Sequence, residues 1–153
     1  MSRSCVVVKE GTLGEVTSLA SQIPEFINPY SLKDYEARLT GVKSLVLVAY
    51  YDRKPIGFKL GYSLNSEVFY SWFGGILPGY RRQGVARLLA EQQEDWAGHQ
   101  GFQKVRVKTR NSFMPMLLFA IKSGFQIIEV EHKGNVNEHR ILLEKELGKS
   151  LRS

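Results

Sequence analysis

Few stretches leave a chain less freedom than Ile76 to Ala90, ILPGYRRQGVARLLA, in this sequence of 153 residues. It reads as the end of a strand, a short loop holding paired arginines and glycines, and the first turns of a helix. The first N–H groups of a helix have no partner inside it, and the aligned peptide dipoles leave partial positive charge at that end. Gly84 has no Cβ, so an anion can come close to the main chain there. Arg81, Arg82 and Arg87 add full charges around the same point, and a guanidinium can grip phosphate oxygens in pairs. A strand that runs through such a loop into a helix is a place to put a phosphate.

The flanking sequence supplies further elements. Val6 to Glu10 is a first strand, with Cys5 heading the run and expected to be buried with it. Thr12 opens a helix whose Leu13, Val16, Leu19, Ala20 and Ile23 share one face, and Pro24 ends it. Glu25 to Tyr30 is a loop with apolar side chains to place. Ser31, with Asp34 three residues on, caps a second helix that runs through Leu39. Leu45 to Tyr51 is a buried strand. In Ile56 to Ser63, Ile56, Phe58, Leu60 and Tyr62 should face one way, with Gly57, Lys59 and Gly61 opposite. Glu67 to Leu77 is a long aromatic strand, so three strands with short turns make an antiparallel meander. From Gly84 a helix turns Val85, Leu88, Leu89 and Trp96 inward. Lys104 to Arg110 is a strand, Phe113 to Lys122 a short helix, and Phe125 to Lys133 with His139 to Lys145 a closing hairpin. The tail after Gly148 is expected to fray.

The order is therefore β-α-α-β-β-β-α-β-α-β-β, an α/β (α+β) arrangement with no repeat or linker, expected to be one domain over 1–153. A hydrophobic content of 43% is ordinary for a globular protein. No apolar run nears the ~20 residues that span a bilayer, and the N-terminal run is too short for a signal peptide, so the expected location is cytoplasmic. The lone cysteine forbids an intrachain disulfide. The three histidines show no metal-ligand spacing, so no metal is expected. The net charge of +6, from 21 basic and 15 acidic side chains, suits any polyanion, nucleic acid included.

The spacing Arg81-x-x-Gly84-x-Ala86, with Ile76-x-Pro78 before it and Gly124-Phe125 further on, resembles the pyrophosphate motif of the GNAT superfamily of acyl-CoA-dependent N-acyltransferases. The resemblance in element order covers almost the whole chain. It implies a mixed, mostly antiparallel sheet of about seven strands flanked by helices, its fourth and fifth strands parallel and splayed. It also implies acetyl-CoA as acyl donor and a small-molecule or peptide amine as acceptor, with no metal and no membrane, and with room for a homodimer. On the same ground Arg81, Arg82, Gln83, Gly84, Val85 and Ala86 would hold the diphosphate. The Ile76 and Leu77 backbone would hold the pantetheine arm, with Asn111 and Phe119 beside it. Gly74, with Gly75, would lie at the thioester, where a strand N–H stabilises the oxyanion.

Glycines inside a strand weaken pairing, and a bulge that admits a ligand backbone would explain Gly74-Gly75; a plain kink is the alternative. The general base stays open between Glu67, Tyr70 and a water held by them. The family's phenolic acid, four residues before the glycine of the Gly-Phe pair, falls here on Ala120. Lys104, Arg106, Lys108 and Arg110 all project to one face, which is expected to be solvated. The alternative is that Lys108 and Arg110 bind an anionic group of the acceptor. Glu25 to Tyr30 would roof the acceptor site. Two other functions compete: a GNAT-like domain that binds acyl-CoA without turnover, and a nucleic-acid-binding domain supported by charge alone.

Overall fold

A computed structural model of the chain describes residues 5–148. Seven strands form one sheet: β1 (Val6–Glu10), β2 (Ser44–Tyr51), β3 (Lys54–Ser63), β4 (Val68–Ile76), β5 (Lys104–Arg110), β6 (Gln126–Glu131) and β7 (Arg140–Glu146). Four helices flank it: α1 (Leu13–Ser21), α2 (Leu32–Leu39), α3 (Val85–His99) and α4 (Met114–Lys122). The sheet order is β1-β2-β3-β4-β5-β7-β6, and every neighbouring pair is antiparallel except β4 with β5.

The helix starts follow from side-chain chemistry. Thr12 and Glu15 form a reciprocal capping box on α1, and Ser31 and Asp34 form one on α2. Each satisfies two backbone donors that a helix end leaves open, and such a cap is worth ~1 kcal/mol. The apolar face of α1, Val16, Leu19 and Ala20, then packs with Phe58 and Leu60 of β3 and Tyr35 of α2. On the opposite face of the sheet, Val85, Leu89 and Ala97 of α3 and Leu117 and Ala120 of α4 bury Phe69, Val105, Val107 and Leu143.

Two features differ from the sequence reading. Cys5 is exposed just ahead of β1 and not buried with it. Ile56 joins the α3 and α4 side of the core, while Phe58 and Leu60 join the α1 side. An irregularity in the β2–β3 register at Ala49/Tyr50 inserts one residue, which turns Ile56 over relative to strict alternation. Beyond it, Gly57, Lys59 and Gly61 face α3 and α4.

β4 pairs with β5 over only three residues: Val68 with Lys104, Phe69 with Val105, and Tyr70 with Arg106. The β3–β4 register then slips between Leu60 and Gly61, leaving Trp72 as the extra residue of a bulge. Past that bulge β4 stays with β3 and leaves β5, so a gap opens between the two parallel strands. Gly61 sits at the slip, where a Cβ would run into the Tyr70 carbonyl and lie 2.6 Å from the Phe69 ring. Gly61→Ala should therefore lower the midpoint of urea unfolding by an amount equivalent to ~1–3 kcal/mol, because main chain and not a mobile side-chain end must move.

Candidate functional site

The mouth of the gap lies where α3 begins. Gly84 is the N-cap residue at φ 84°, and Arg82 also adopts the left-handed region at φ 63°. No side chain caps the helix. The N–H groups of Val85, Ala86 and Arg87, its first turn, consequently have no partner within the helix and converge on one point. Arg82 and Ala86 are exposed beside it, and the Gln83 side-chain oxygen is buried with no hydrogen-bond partner. Arg87 reaches Glu91 only at 3.9 Å and is 72% exposed, so its charge remains available to the same region.

Arg81 plays a different part from the one its motif position suggests. Its Nε donates to the Ile76 carbonyl at 3.1 Å, and its Nη1 and Nη2 grip the Glu25 carboxylate at 2.7 and 3.0 Å. The guanidinium holds the Glu25 carboxyl below the usual carboxylate range, and Glu25 in turn raises Arg81. The side chain therefore ties the loop after α1 to the end of β4, and its forked donors are not turned toward the helix terminus.

Main-chain alternation decides what the gap is lined with. Leu77 N–H donates to the Ile56 carbonyl of β3 at 2.9 Å, so the backbone groups of Leu77 point away from the gap. Groups of the adjacent residue in a strand point the other way. Ile76 and, two residues back, Gly74 therefore direct their N–H groups into the gap. Of the two strand positions expected for an extended ligand, Ile76 is placed for it and Leu77 is not. The bulge expected at Gly74-Gly75 is found at Trp72 instead, and both glycines stay in register with β3. Gly75 is explained by packing: a Cβ there would lie 2.7 Å from Ile23 and 3.0 Å from Phe26. Gly74 faces the other way, its missing Cβ 3.5 Å from the stem of Lys59.

The far side of the gap is formed by β5 and α4. Asn111, at the end of β5, donates through Nδ2 to the Val136 carbonyl at 3.2 Å and takes the His139 carbonyl on its N–H at 2.8 Å. This fixes the strand end to the β6–β7 connection. Phe119 and Ala120 of α4 line a small cavity at the closed end of the gap, together with Ser71 of β4 and Val107 of β5.

The two candidates for the base separate. Glu67 is exposed in the turn before β4, its carbonyl accepting from Gln103 and Lys104 at the paired end of the strands. Seven residues at the strand rise place it roughly 20 Å from Gly74, so the structure does not bring these two together. Tyr70 stands at the last paired position, its ring 5.5 Å from Tyr62. Burial, then Tyr62, pushes its phenol above the ordinary value. It stays protonated at neutral pH and cannot itself accept a proton.

On the α1 and α2 face, an open groove of about 480 Å³ is lined by Tyr30, Asp34, Ala37, Arg38 and Trp72. Arg38 lies over the Trp72 ring at 4.6 Å and donates to the Tyr62 hydroxyl at 3.1 Å. Phe26 and Tyr30 of the loop after α1 pack on Phe73 and on Trp72. The basic row of β5 lies on this sheet face but is matched by carboxylates. Lys104 and Arg106 meet Glu144, Lys108 meets Glu131 at 3.4 Å, and Arg110 approaches Glu138 at 3.9 Å.

Sequence reasoning passed over three residues that the fold brings together beneath the gap. Lys59 of β3 and Gln93 and Glu94 of α3 line the same small cavity as Ser71. Desolvation brings the Lys59 amine down to about 8, an effect that Glu94 partly offsets. The available signal was a lone lysine between two glycines on a strand face that turns inward.

A parallel strand pair that parts beside an uncapped helix N-terminus is the arrangement that the resemblance to the GNAT superfamily implies. The sequence model described as the Acetyltransferase (GNAT) family matches residues 16–125, and the chain belongs to that family. No curated protein matches it in sequence. Among solved structures it is similar to the ribosomal-protein-S18-alanine N-acetyltransferase of Escherichia coli, with a TM-score of 0.81 at 15% identity over 94% of each chain. It is also similar to Ard1 of Thermoplasma volcanium, with a TM-score of 0.82 at 15% identity over 94% of this chain and 99% of that one. A GNAT family acetyltransferase of Elizabethkingia anophelis with acetyl-CoA bound gives 0.76 at 19% identity, over 95% of this chain and 100% of that one. At these identities the likeness is one of fold. No described helix is long and apolar enough to cross a membrane.

A lysine whose amine is held at about 8 is a cost to folding, since the unfolded chain binds that proton up to the ordinary lysine value. Between those two values the unfolded state carries more protons, so the wild-type chain gains stability as pH rises. Lys59→Met should thus be at least as stable as wild type at pH 7, and its advantage should shrink across that alkaline window. Paired thermal melts at several pH values measure this directly.

Proposed function

We propose that the protein is an N-acetyltransferase, moving an acetyl group from acetyl-CoA to a primary amine by direct attack in a ternary complex. The observation that carries this reading is the alignment of the bare N-terminus of α3 with the gap between β4 and β5. Arg82, Gly84, Val85 and Ala86 hold the donor's diphosphate, mainly through main-chain N–H groups. Gln83 and Arg81 act from behind, the latter by fixing the Ile76 carbonyl. Ile76 and Gly74 offer N–H groups to the arm and thioester, and a donor pre-aimed at the carbonyl oxygen stabilises the oxyanion as it forms. Asn111 and Phe119 bound the far wall.

The amine approaches from the opposite face, through the groove of Tyr30, Arg38 and Trp72 under the loop tied down by Arg81 and Glu25. Tyr70, with its protonated phenol, orders a water there that receives the ammonium proton. The whole of 1–153 acts as one domain in this reading, and its location is cytoplasmic.

Acetyl-CoA at 100 times its Kd should add ~2.7 kcal/mol to stability, visible as a rise in melting temperature. Gly84→Glu should abolish that rise, because the new carboxylate fills the cradle with charge of the wrong sign. Thiol release from acetyl-CoA in a panel of primary amines should identify acceptors. Binding without release in any amine would make the protein a sensor, and no binding would remove the proposal.

A further inference from the structure

We propose that Lys59 holds and protonates the leaving sulfur of coenzyme A from beneath the closed end of the gap. The inference rests on the acetyl-transfer reading above and adds to it the group that completes the proton account. The family's phenolic position is Ala120 in this chain, so α4 offers no donor there.

Four observations place Lys59. It lies on β3 opposite Gly74, and the absence of a Cβ on Gly74 leaves its stem a path across β4 toward α3. Its side chain lines a cavity of about 10 Å³ with Ser71, the first β4 residue past the last β4–β5 pair, and with Val107 across the gap. Ala120 and Phe119 line the same cavity, so the lysine occupies the space next to which a phenol on α4 would have stood. Finally, a largely apolar cavity holds an unmatched polar atom: Gln93 is 1% exposed, lines it, and has an Nε2 with no hydrogen-bond partner. A buried amide left unmatched costs free energy, which points to a missing polar group in that space.

Direction matters as much as place. A ligand anchored at the start of α3 enters the gap from the α3 and α4 side, while the amine groove lies on the other face. The carbon attacked by the amine sits between the two faces, and the sulfur remains on the side of Lys59. As the tetrahedral intermediate collapses, the carbon–sulfur bond breaks and its electron pair stays on sulfur. The Lys59 ammonium gives that sulfur a proton and becomes a neutral amine, which solvent reprotonates.

The charged groups facing Lys59 are few. From α3 there is Glu94, and from β7 Lys145, which is already paired with Glu94 at 2.7 Å. The other residues lining the cavity carry no charge. With Glu94 taken up by Lys145, the Lys59 ammonium has an open site for an anion. Its value of about 8 also lies near that of an ordinary thiol, roughly 8.5, so the proton passes between well-matched groups.

The test needs no acceptor. Affinities of coenzyme A and of acetyl-CoA are measured by calorimetry from about pH 6 to pH 8 for wild type, Lys59→Met and Lys59→Arg. If Lys59 faces the sulfur, wild type binds the thiolate in preference, and the ratio of coenzyme A to acetyl-CoA affinity rises roughly threefold over that range, the response expected when a thiol of roughly 8.5 is lowered by about one pKa unit on binding. Lys59→Met should flatten the ratio while leaving acetyl-CoA affinity nearly unchanged, and Lys59→Arg, which keeps the charge, should retain the rise. Tight binding of both ligands with a pH-independent ratio in wild type would overturn the Lys59 proposal and leave the acetyltransferase reading standing. Failure of both ligands to bind wild type would overturn both.

Discussion

Everything distinctive in this structure depends on two parallel strands giving up their pairing after three residues. β4 could have followed β5 along its whole length, and each unmade ladder bond leaves a donor or acceptor facing empty space. The Trp72 bulge makes the separation stable by committing β4 to β3, while Phe73 and Trp72 drive their rings into the α1 and α2 side of the core. Backbone groups of Gly74 and Ile76 are left over as a result. Part of that deficit is met inside the protein, because Arg81 donates to the Ile76 carbonyl. The N–H groups of Gly74 and Ile76 are turned toward the gap, where the proposed function sets the donor's arm and thioester.

Ion pairs take up several of the charged groups around the gap. The four basic residues of β5 each have a carboxylate within reach from β6, β7 or the connection between them. Glu25 engages Arg81, and Glu94 engages Lys145. Such half-exposed pairs contribute little to stability one at a time. Their effect is to neutralise basic groups around the site, beside the partial positive charge at the start of α3 and the amine of Lys59. The overall charge of +6 is therefore a poor guide to where an anion would settle.

Much of the architecture was legible in the chain because it is local. Thr12 and Glu15, or Ser31 and Asp34, announce helix starts through contacts three residues apart, and the strand–loop–helix at Ile76 to Ala90 carries its own geometry in Gly84. The site was legible only in part. Arg81 matched the motif yet turns away, since its partner Glu25 lies 56 residues earlier and no local pattern connects them. Glu67, a candidate base by sequence, lies in the turn before β4, and the extended strand carries it away from Gly74. Gly75, which suggested a ligand, proves to make room for Ile23 and Phe26.

Periodicity and capping, read along the chain, were enough to give the order of elements, the membership of most core faces and the anion-binding helix start, because each is settled by neighbours a few residues apart. Facing was not fixed this way where a bulge intervened: one inserted residue breaks the alternation, and Ile56 joins the other side of the core from Phe58 and Leu60 for that reason. Nor could any local pattern gather Lys59, Ser71, Gln93 and Ala120 around one cavity, since they come from β3, β4, α3 and α4. Long-range packing alone brings such groups together, and it is the desolvation this packing imposes that lowers the amine of half-buried Lys59.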